Sequence, residues 1–124
     1  MQIDHLALHV YDLQESASFY EKVLGLERVP EPFHDNLHVW LRIGPHTALH
    51  LVAGAAGIRK DVIDTHLAFR VDSLDHFMET LNSAGIPYRS FNGDAKVNNR
   101  PDGVRQTYLQ DPNGYWLEVN DAKL

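Results

Sequence analysis

The chain contains one segment twice, and this internal repeat constrains its fold more than any other feature. Residues 5–13 read His-Leu-Ala-Leu-His-Val-Tyr-Asp-Leu, and residues 66–74 read His-Leu-Ala-Phe-Arg-Val-Asp-Ser-Leu. Five of the nine positions are identical, whereas two unrelated segments of ordinary composition would share roughly one or fewer. Each copy alternates as a strand does and then changes to a helical pattern. The chain is therefore predicted to be a duplication with a histidine at the same place in each half.

The patterns that follow the two copies predict the element order βαβββ twice. Strands are expected over residues 3–10, 26–29, 37–43, 47–52, 65–71, 86–91, 104–109 and 115–120. One helix is predicted between Asp12 and Gly25, and the other between Ser73 and Gly85, because each pair supplies a capping residue and a terminating glycine. The predicted fold class is α+β, as one domain over residues 1–124. Its parts are module 1 (about 1–53), a linker (about 54–63) and module 2 (about 64–122).

Composition narrows the classes of partner. The formal net charge is −6, which argues against nucleic acid or an anionic membrane surface as the main partner. Cysteine is absent, so disulfides and thiol chemistry are excluded. No apolar run is long enough for a transmembrane helix, and the first residues run into a strand pattern rather than a signal-peptide pattern. We therefore expect a soluble cytoplasmic protein.

The candidate chemistry lies on the sheet faces opposite the predicted helices. If the leucine-rich faces are covered by the helices, the opposite faces carry four possible metal ligands, which are His5, His50, His66 and Glu118. Three imidazoles and one carboxylate suit nickel, cobalt, zinc, manganese or iron, whereas calcium and magnesium prefer oxygen ligands. A lone strand histidine is more often solvated or hydrogen-bonded than metal-bound. The residues alone leave both interpretations open.

Four motifs together resemble the vicinal oxygen chelate superfamily. They are His-Leu-Ala-Leu-His-Val-x-Asp-Leu, Ser-Phe-Tyr-x-x-Val-Leu-Gly-Leu, His-Leu-Ala-Phe-Arg-Val and Asp-Pro-Asn-Gly-Tyr-Trp-Leu-Glu-Val. The superfamily includes glyoxalase I, fosfomycin-resistance proteins, extradiol dioxygenases, methylmalonyl-CoA epimerase and bleomycin-resistance proteins. The resemblance implies two tandem βαβββ modules that form an open cup-shaped barrel, and a homodimer with its site at or near the subunit interface. It also implies that a divalent metal is bound by His5, His50, His66 and Glu118.

The run over residues 110–118 looks most like glyoxalase I, which implies a metal-dependent lyase or isomerase. Its substrate would chelate the metal through two neighbouring oxygens, and Glu118 would be the catalytic residue. Glyoxalase I carries glutamate where this chain has His50, so the base would be Glu118 or a histidine. A fourth protein ligand at His50 argues against a dioxygenase, whose iron usually keeps three open positions. Two alternatives stay open, a metal-free drug-sequestering protein of the bleomycin-resistance type and a thiol transferase of the fosfomycin-resistance type.

Further residues on the same predicted faces are candidates for substrate binding. Arg42 or Arg70 would pair with a carboxylate or phosphate, and Trp40 and Trp116 would wall an apolar pocket or lie at a dimer interface. The complete set of substrate-binding candidates is His9, Trp40, Arg42, Arg70, Tyr108 and Trp116. The plain alternative for each is a side chain that is solvated or that supports the fold.

Overall fold

A computed structural model describes residues 1–123. The chain divides into two compact units, the first over Met1–Ile58 and the second from Arg59 onward. Each unit is a four-stranded sheet with one helix in the order βαβββ, so the predicted α+β class and the two tandem modules are confirmed. Over the same residues no helix has the length and apolar character needed to cross a membrane.

The first unit pairs its first strand with its last. Its elements are β1 (His5–Val10), α1 (Leu13–Lys22), β2 (Arg28–Val29), β3 (His38–Gly44) and β4 (Thr47–Ala53). The sheet order is β1-β4-β3-β2, with β1 parallel to β4 and the other pairs antiparallel. The strands alternate, so one face buries Leu8, Val10, Leu49 and Leu51. Helix α1 contacts β3 and β4.

Helix α1 begins where the sequence predicts. The side chain of Asp12 accepts a hydrogen bond from the backbone N–H of Glu15 over 3.0 Å, which satisfies one of the free donors at the helix start. Leu13, Ala17 and Tyr20 recur on one stripe and are buried, as an amphipathic helix requires.

The second unit repeats this topology. Its elements are β5 (His66–Arg70), α2 (Leu74–Ala84), β6 (Asn98–Asn99), β7 (Arg105–Gln110) and β8 (Trp116–Asn120). The sheet order is β5-β8-β7-β6, again with the first strand parallel to the last. Helix α2 is capped by Ser73 and ends at Gly85, whose φ of +68° is the left-handed conformation that glycine adopts without strain.

The strand predicted over residues 86–91 is wrong. That segment forms only a single β-bridge, between Arg89 and Tyr108, and the ladder beside β7 belongs to β6 instead. Backbone N–H groups next to the bridge donate to acceptors that follow in the chain instead of to β7. Ser90 N donates to the carbonyl of Ala95, and Phe91 N donates to the side chain of Asn98. Pro87 lacks a backbone N–H and cannot add to a ladder.

Candidate functional site

In the second unit a buried carboxylate is held by three neutral donors. Glu118, in the middle of β8, is 5% exposed. Its Oε1 accepts hydrogen bonds from the Tyr108 hydroxyl over 2.6 Å and from Gln106 Nε2 over 3.0 Å. Its Oε2 accepts one from Asn120 Nδ2 over 2.6 Å. These donors fix the orientation of the carboxylate but carry no charge that would neutralise it.

His66 lies beside this carboxylate on the neighbouring strand β5. Its Nδ1 is 2.7 Å from the carbonyl oxygen of Ile63, so Nδ1 carries a hydrogen and donates it. Nε2 of the same ring is 3.4 Å from Glu118 Oε1. The imidazole nitrogen and the carboxylate oxygen therefore face each other, and a positive charge between them would stabilise both.

The two donors to Glu118 Oε1 are themselves positioned by their surroundings. Asn98 Nδ2, on β6, donates to Gln106 Oε1 over 2.8 Å, which turns Gln106 Nε2 towards Glu118. Burial and the hydrogen bond to Glu118 raise the pKa of the Tyr108 hydroxyl well above its usual value. Tyr108 therefore stays protonated and remains a donor at neutral pH.

In the first unit, His5 and His50 share the sheet face that the sequence predicts. His5 Nδ1 lies 2.7 Å from Asp4 Oδ2, which directs Nε2 away from that carboxylate. The His5 ring stacks on Trp40 at 5.8 Å between centroids and meets the ring of His50 edge-on at 5.7 Å. An imidazole whose Nδ1 is hydrogen-bonded to an oxygen is the usual form of a metal-ligating histidine.

His50 is 7% exposed and is in direct contact with a further histidine. Its Nε2 is 2.7 Å from Nδ1 of His38, and His38 Nε2 is 3.5 Å from Asp35 Oδ2. Burial lowers the pKa of His50, and the nearby His38 and His5 lower it further. The ring of Phe33 stacks on His38 at 4.2 Å and lies nearly parallel to that of His50 at 5.8 Å.

The substrate-binding candidates of the first unit differ in their surroundings. His9 is exposed on β1, and Arg42 is ion-paired with Glu27 at 3.3 Å. Trp40 Nε1 is buried without a hydrogen-bond partner among residues 1–123.

The substrate-binding candidates of the second unit are Arg70, Tyr108 and Trp116. Arg70 is exposed at the end of β5, opposite Asn120 on β8. Tyr108 contacts Glu118 as described, and Trp116 Nε1 donates to the carbonyl of Asp61 over 3.0 Å. Within either unit taken alone, no three His, Cys, Asp or Glu side chains of residues 1–123 form a group that could hold a metal ion.

Several residues of these clusters were missed by sequence reasoning. Asn120 lies two positions after Glu118 on the same strand, so strand alternation could have indicated it. Asp4 lies in the predicted strand over residues 3–10 but precedes the observed β1, so alternation does not account for its bond to His5. Phe33 lies outside the strands, where no periodicity predicts the direction of its side chain.

Known proteins resemble this chain in sequence or in structure. Uncharacterized protein YwbC of Bacillus subtilis is 28% identical over 126 residues, which cover 94% of each chain. Glyoxylase I 4 of Arabidopsis thaliana is 27% identical over 124 residues, which cover 94% of this chain and 68% of that protein. A glyoxalase/dioxygenase from Nostoc punctiforme superposes with a TM-score of 0.79 at 22% identity, over 99% of this chain and 92% of that one.

The sequence profile of one family covers almost the whole chain, from residue 2 to residue 119. That match includes the helices and strands of both βαβββ units except Asn120, the last residue of β8. The chain belongs to the Glyoxalase/Bleomycin resistance protein/Dioxygenase superfamily.

Proposed function

We propose that the protein is a divalent-metal-dependent lyase or isomerase of the glyoxalase-like type. Its substrate is a small molecule that binds the metal through two neighbouring oxygens. One observation carries the proposal, namely that His66 Nε2 faces the buried Glu118 carboxylate at 3.4 Å. The name of the Arabidopsis relative, Glyoxylase I 4, supports the same reaction type.

The distance between these two atoms suits a shared metal better than a shared proton. A charge-assisted hydrogen bond between nitrogen and oxygen is about 2.7–2.9 Å long, and this pair is 3.4 Å apart. Two ligands about 2.1 Å from one ion lie roughly 3.4 Å apart in a tetrahedral arrangement. Imidazole and carboxylate are also the donors that nickel, zinc, manganese, cobalt and iron accept.

In this proposal His66 and Glu118 are two ligands, and His5 and His50 supply the others. A bound divalent ion would act as a Lewis acid that polarises a substrate carbonyl. The hydrogen bonds to Asp4 and Ile63 fix the orientation of the His5 and His66 rings, as outer-shell groups do for ligating histidines.

Glu118 has the second role of moving a proton. Its Oε1 accepts two hydrogen bonds, from Tyr108 and Gln106, one of which a metal ion at that oxygen would replace. Its Oε2 accepts only one, from Asn120, so Oε2 has the free lone pair that a general base needs. Glyoxalase I carries glutamate at the position of His50, whereas this chain has histidine there. Glu118 is then the one carboxylate among the four candidate ligands, and we assign the proton transfer to it.

The protein is expected to act as a homodimer in the cytoplasm.

Metal content tests the proposal directly. Protein purified without a nickel column is expected to contain roughly one divalent ion per chain, measured by inductively coupled plasma mass spectrometry. His66→Ala and Glu118→Gln should each lose most of it. His76→Ala and Glu79→Gln are matched controls, because both side chains are about four-fifths exposed, at 82% and 78%. The proposal is wrong if His66→Ala and Glu118→Gln retain the metal content of the wild type.

A second candidate function, metal-free binding of a small aromatic molecule, is supported by the first unit. There His50 Nε2 is already engaged by His38, and the exposed Phe33 stacks on both imidazoles. Metal-free protein would then bind a neutral aromatic probe such as indole, measured by calorimetry. Phe33→Ala should abolish the binding, whereas Ile58→Ala, which removes another exposed apolar side chain, should not.

A further inference from the structure

The second unit contains a cavity of about 450 Å³ that is lined in part by Tyr108, the residue that donates to Glu118. Its walls come from the segment after α2 and from β7 and β8. Among the side chains that line it are Pro87, Tyr88, Arg89, Tyr108, Gln110 and Trp116. The volume lies in the range of small-molecule sites, which are mostly apolar with a few oriented polar groups.

Arg89 is the charged group of this cavity. Its guanidinium lies over the ring of Trp116 at 5.1 Å from the centroid, and Nη2 donates to the carbonyl of Phe91 over 3.2 Å. Within the described chain it has no carboxylate partner. Arg59, by comparison, is paired with Asp61 at 2.8 Å, and Arg105 is paired with Asp75 and Asp121. Arg89 therefore keeps N–H donors for an external anion.

The surroundings of Arg89 also favour an anion. No acidic side chain of the described residues lines the cavity, although the chain as a whole carries a net charge of −6. A second cation is close, because Lys96 Nζ lies over the ring of Tyr88 at 4.8 Å. The aromatic residues Tyr88, Tyr108 and Trp116 are part of the cavity lining and supply apolar surface there.

We propose that this cavity binds a planar aromatic carboxylate. The carboxylate pairs with the guanidinium of Arg89, and the ring of the ligand packs against the aromatic walls. Tyr108 connects the cavity to the candidate metal ligand, since it lines the cavity and donates to Glu118. The identification of this ligand as the substrate rests on the proposed function. The binding of an aromatic carboxylate in the cavity does not depend on it.

The test is calorimetric titration with 2-naphthoate and its neutral analogue 2-naphthamide, in the presence of EDTA. Working without metal separates this proposal from the proposed function, because a missing metal site leaves the titration unaffected. The wild type is expected to bind 2-naphthoate roughly tenfold or more tightly than 2-naphthamide, since the charge-assisted bonds are lost with the amide. Equal affinities for the two probes would overturn the proposal.

Two variants assign the binding to Arg89. Arg89→Gln should weaken 2-naphthoate binding by roughly tenfold or more and leave 2-naphthamide binding almost unchanged. Arg89→Lys keeps the charge but loses the planar pair of donors, so its affinity should be intermediate. Arg59→Gln is the matched control, because Arg59 also lies over an aromatic ring, Tyr115, at 4.9 Å but is already neutralised by Asp61. A loss in Arg59→Gln equal to that in Arg89→Gln would contradict a specific site.

Tryptophan fluorescence locates the ligand independently of these variants. The chain has two tryptophans, so in Trp40→Phe protein all the tryptophan emission comes from Trp116. Titration of 2-naphthoate, corrected for the fluorescence of the naphthoate by a matched titration into buffer, should change the Trp116 emission with the same dissociation constant that calorimetry gives. Heat of binding without any change in Trp116 emission would place the ligand elsewhere and overturn the proposal.

Discussion

Tyr108 donates its hydroxyl hydrogen to Glu118 Oε1 over 2.6 Å, between directly opposed residues of β7 and β8. Both side chains are almost fully buried, at 3% and 5% exposure. A buried carboxylate without such donors would lose much of the stabilisation that replaces its hydration. The position of the Glu118 oxygens therefore depends on Tyr108 as well as on the strand.

Removal of this hydroxyl is expected to weaken metal binding without removing a ligand. In Tyr108→Phe the carboxylate keeps its donors from Gln106 and Asn120, but Oε1 is less firmly oriented. Outer-shell changes of this kind cost about 10- to 100-fold in metal affinity, which a competitive chelator titration would measure. Tyr115→Phe is the control, since that ring contacts Arg59. Unchanged affinity in Tyr108→Phe would show that the hydroxyl does not orient a ligand.

The turn between β7 and β8 requires glycine at position 114. Gly114 has φ +92°, and a Cβ added there would lie 2.3 Å from the carbonyl oxygen of Arg59. Gly114→Ala should lower the free energy of unfolding by about 3 kcal/mol or more, from the left-handed backbone and the clash together. Urea denaturation followed by circular dichroism would measure this change.

Gly103 offers a matched control for that experiment. Its φ is +88°, but an added Cβ would meet nothing within 4 Å. Gly103→Ala should therefore cost only the backbone term, about 1–2 kcal/mol. The interpretation fails if the two alanine variants are equally destabilised.

Asp121 should stabilise the fold in a pH-dependent manner. The backbone N–H of Arg105, with a further contribution from its guanidinium, lowers the pKa of this carboxyl. A lowered folded-state pKa stabilises the protein above the unfolded pKa of about 3.9, and the stabilisation is lost as the pH falls through the folded value. Asp121→Asn should therefore cost about 1 kcal/mol at pH 7 and progressively less below pH 4.

Parallel urea titrations at several pH values would check the Asp121 prediction. Asp64→Asn provides the reference, because Asp64 is an exposed acid whose loss should not change stability in this way. A cost for Asp121→Asn that stays constant down to pH 2 would contradict the linkage.

The cap of α2 is expected to contribute to stability. Ser73 accepts a hydrogen bond from the backbone N–H of His76 over 3.1 Å, so Ser73→Ala should cost about 1 kcal/mol. Ser83→Ala, at an exposed position near the end of the same helix, should be neutral or slightly stabilising, since alanine favours helix. Thermal unfolding of both variants would separate capping from a general effect of serine.

The fold was predictable wherever local signals and tertiary pairing agree. Asp12 and Ser73 cap the helices, and strand alternation predicted the faces of β1, β4, β5 and β8 because their registers obey it. The segment after Pro87 failed because side-chain hydrogen bonds compete with the ladder there. The sequence of that segment, Tyr-Arg-Ser-Phe, does not reveal such competition.

The site was predictable to the extent that strands determine where side chains point. Tyr108 and Glu118 follow from alternation, because opposed residues of paired strands share a face. The contact between His38 and His50 joins residues of β3 and β4 that are not directly opposed, since His38 is opposite Val52 and His50 is opposite Trp40. The carbonyl of Ile63 that orients His66 lies in a connection without periodicity.

The two histidines that begin the repeated segments are identical in sequence but bonded to different acceptors. His5 gives its Nδ1 hydrogen to the carboxylate of Asp4, whereas His66 gives its own to the carbonyl of Ile63. An anionic acceptor draws more of the shared hydrogen away than a neutral one and leaves that imidazole richer in electrons. The two rings at equivalent places in the repeat therefore differ in donor strength, and His5 would be the stronger ligand for a metal ion of the two.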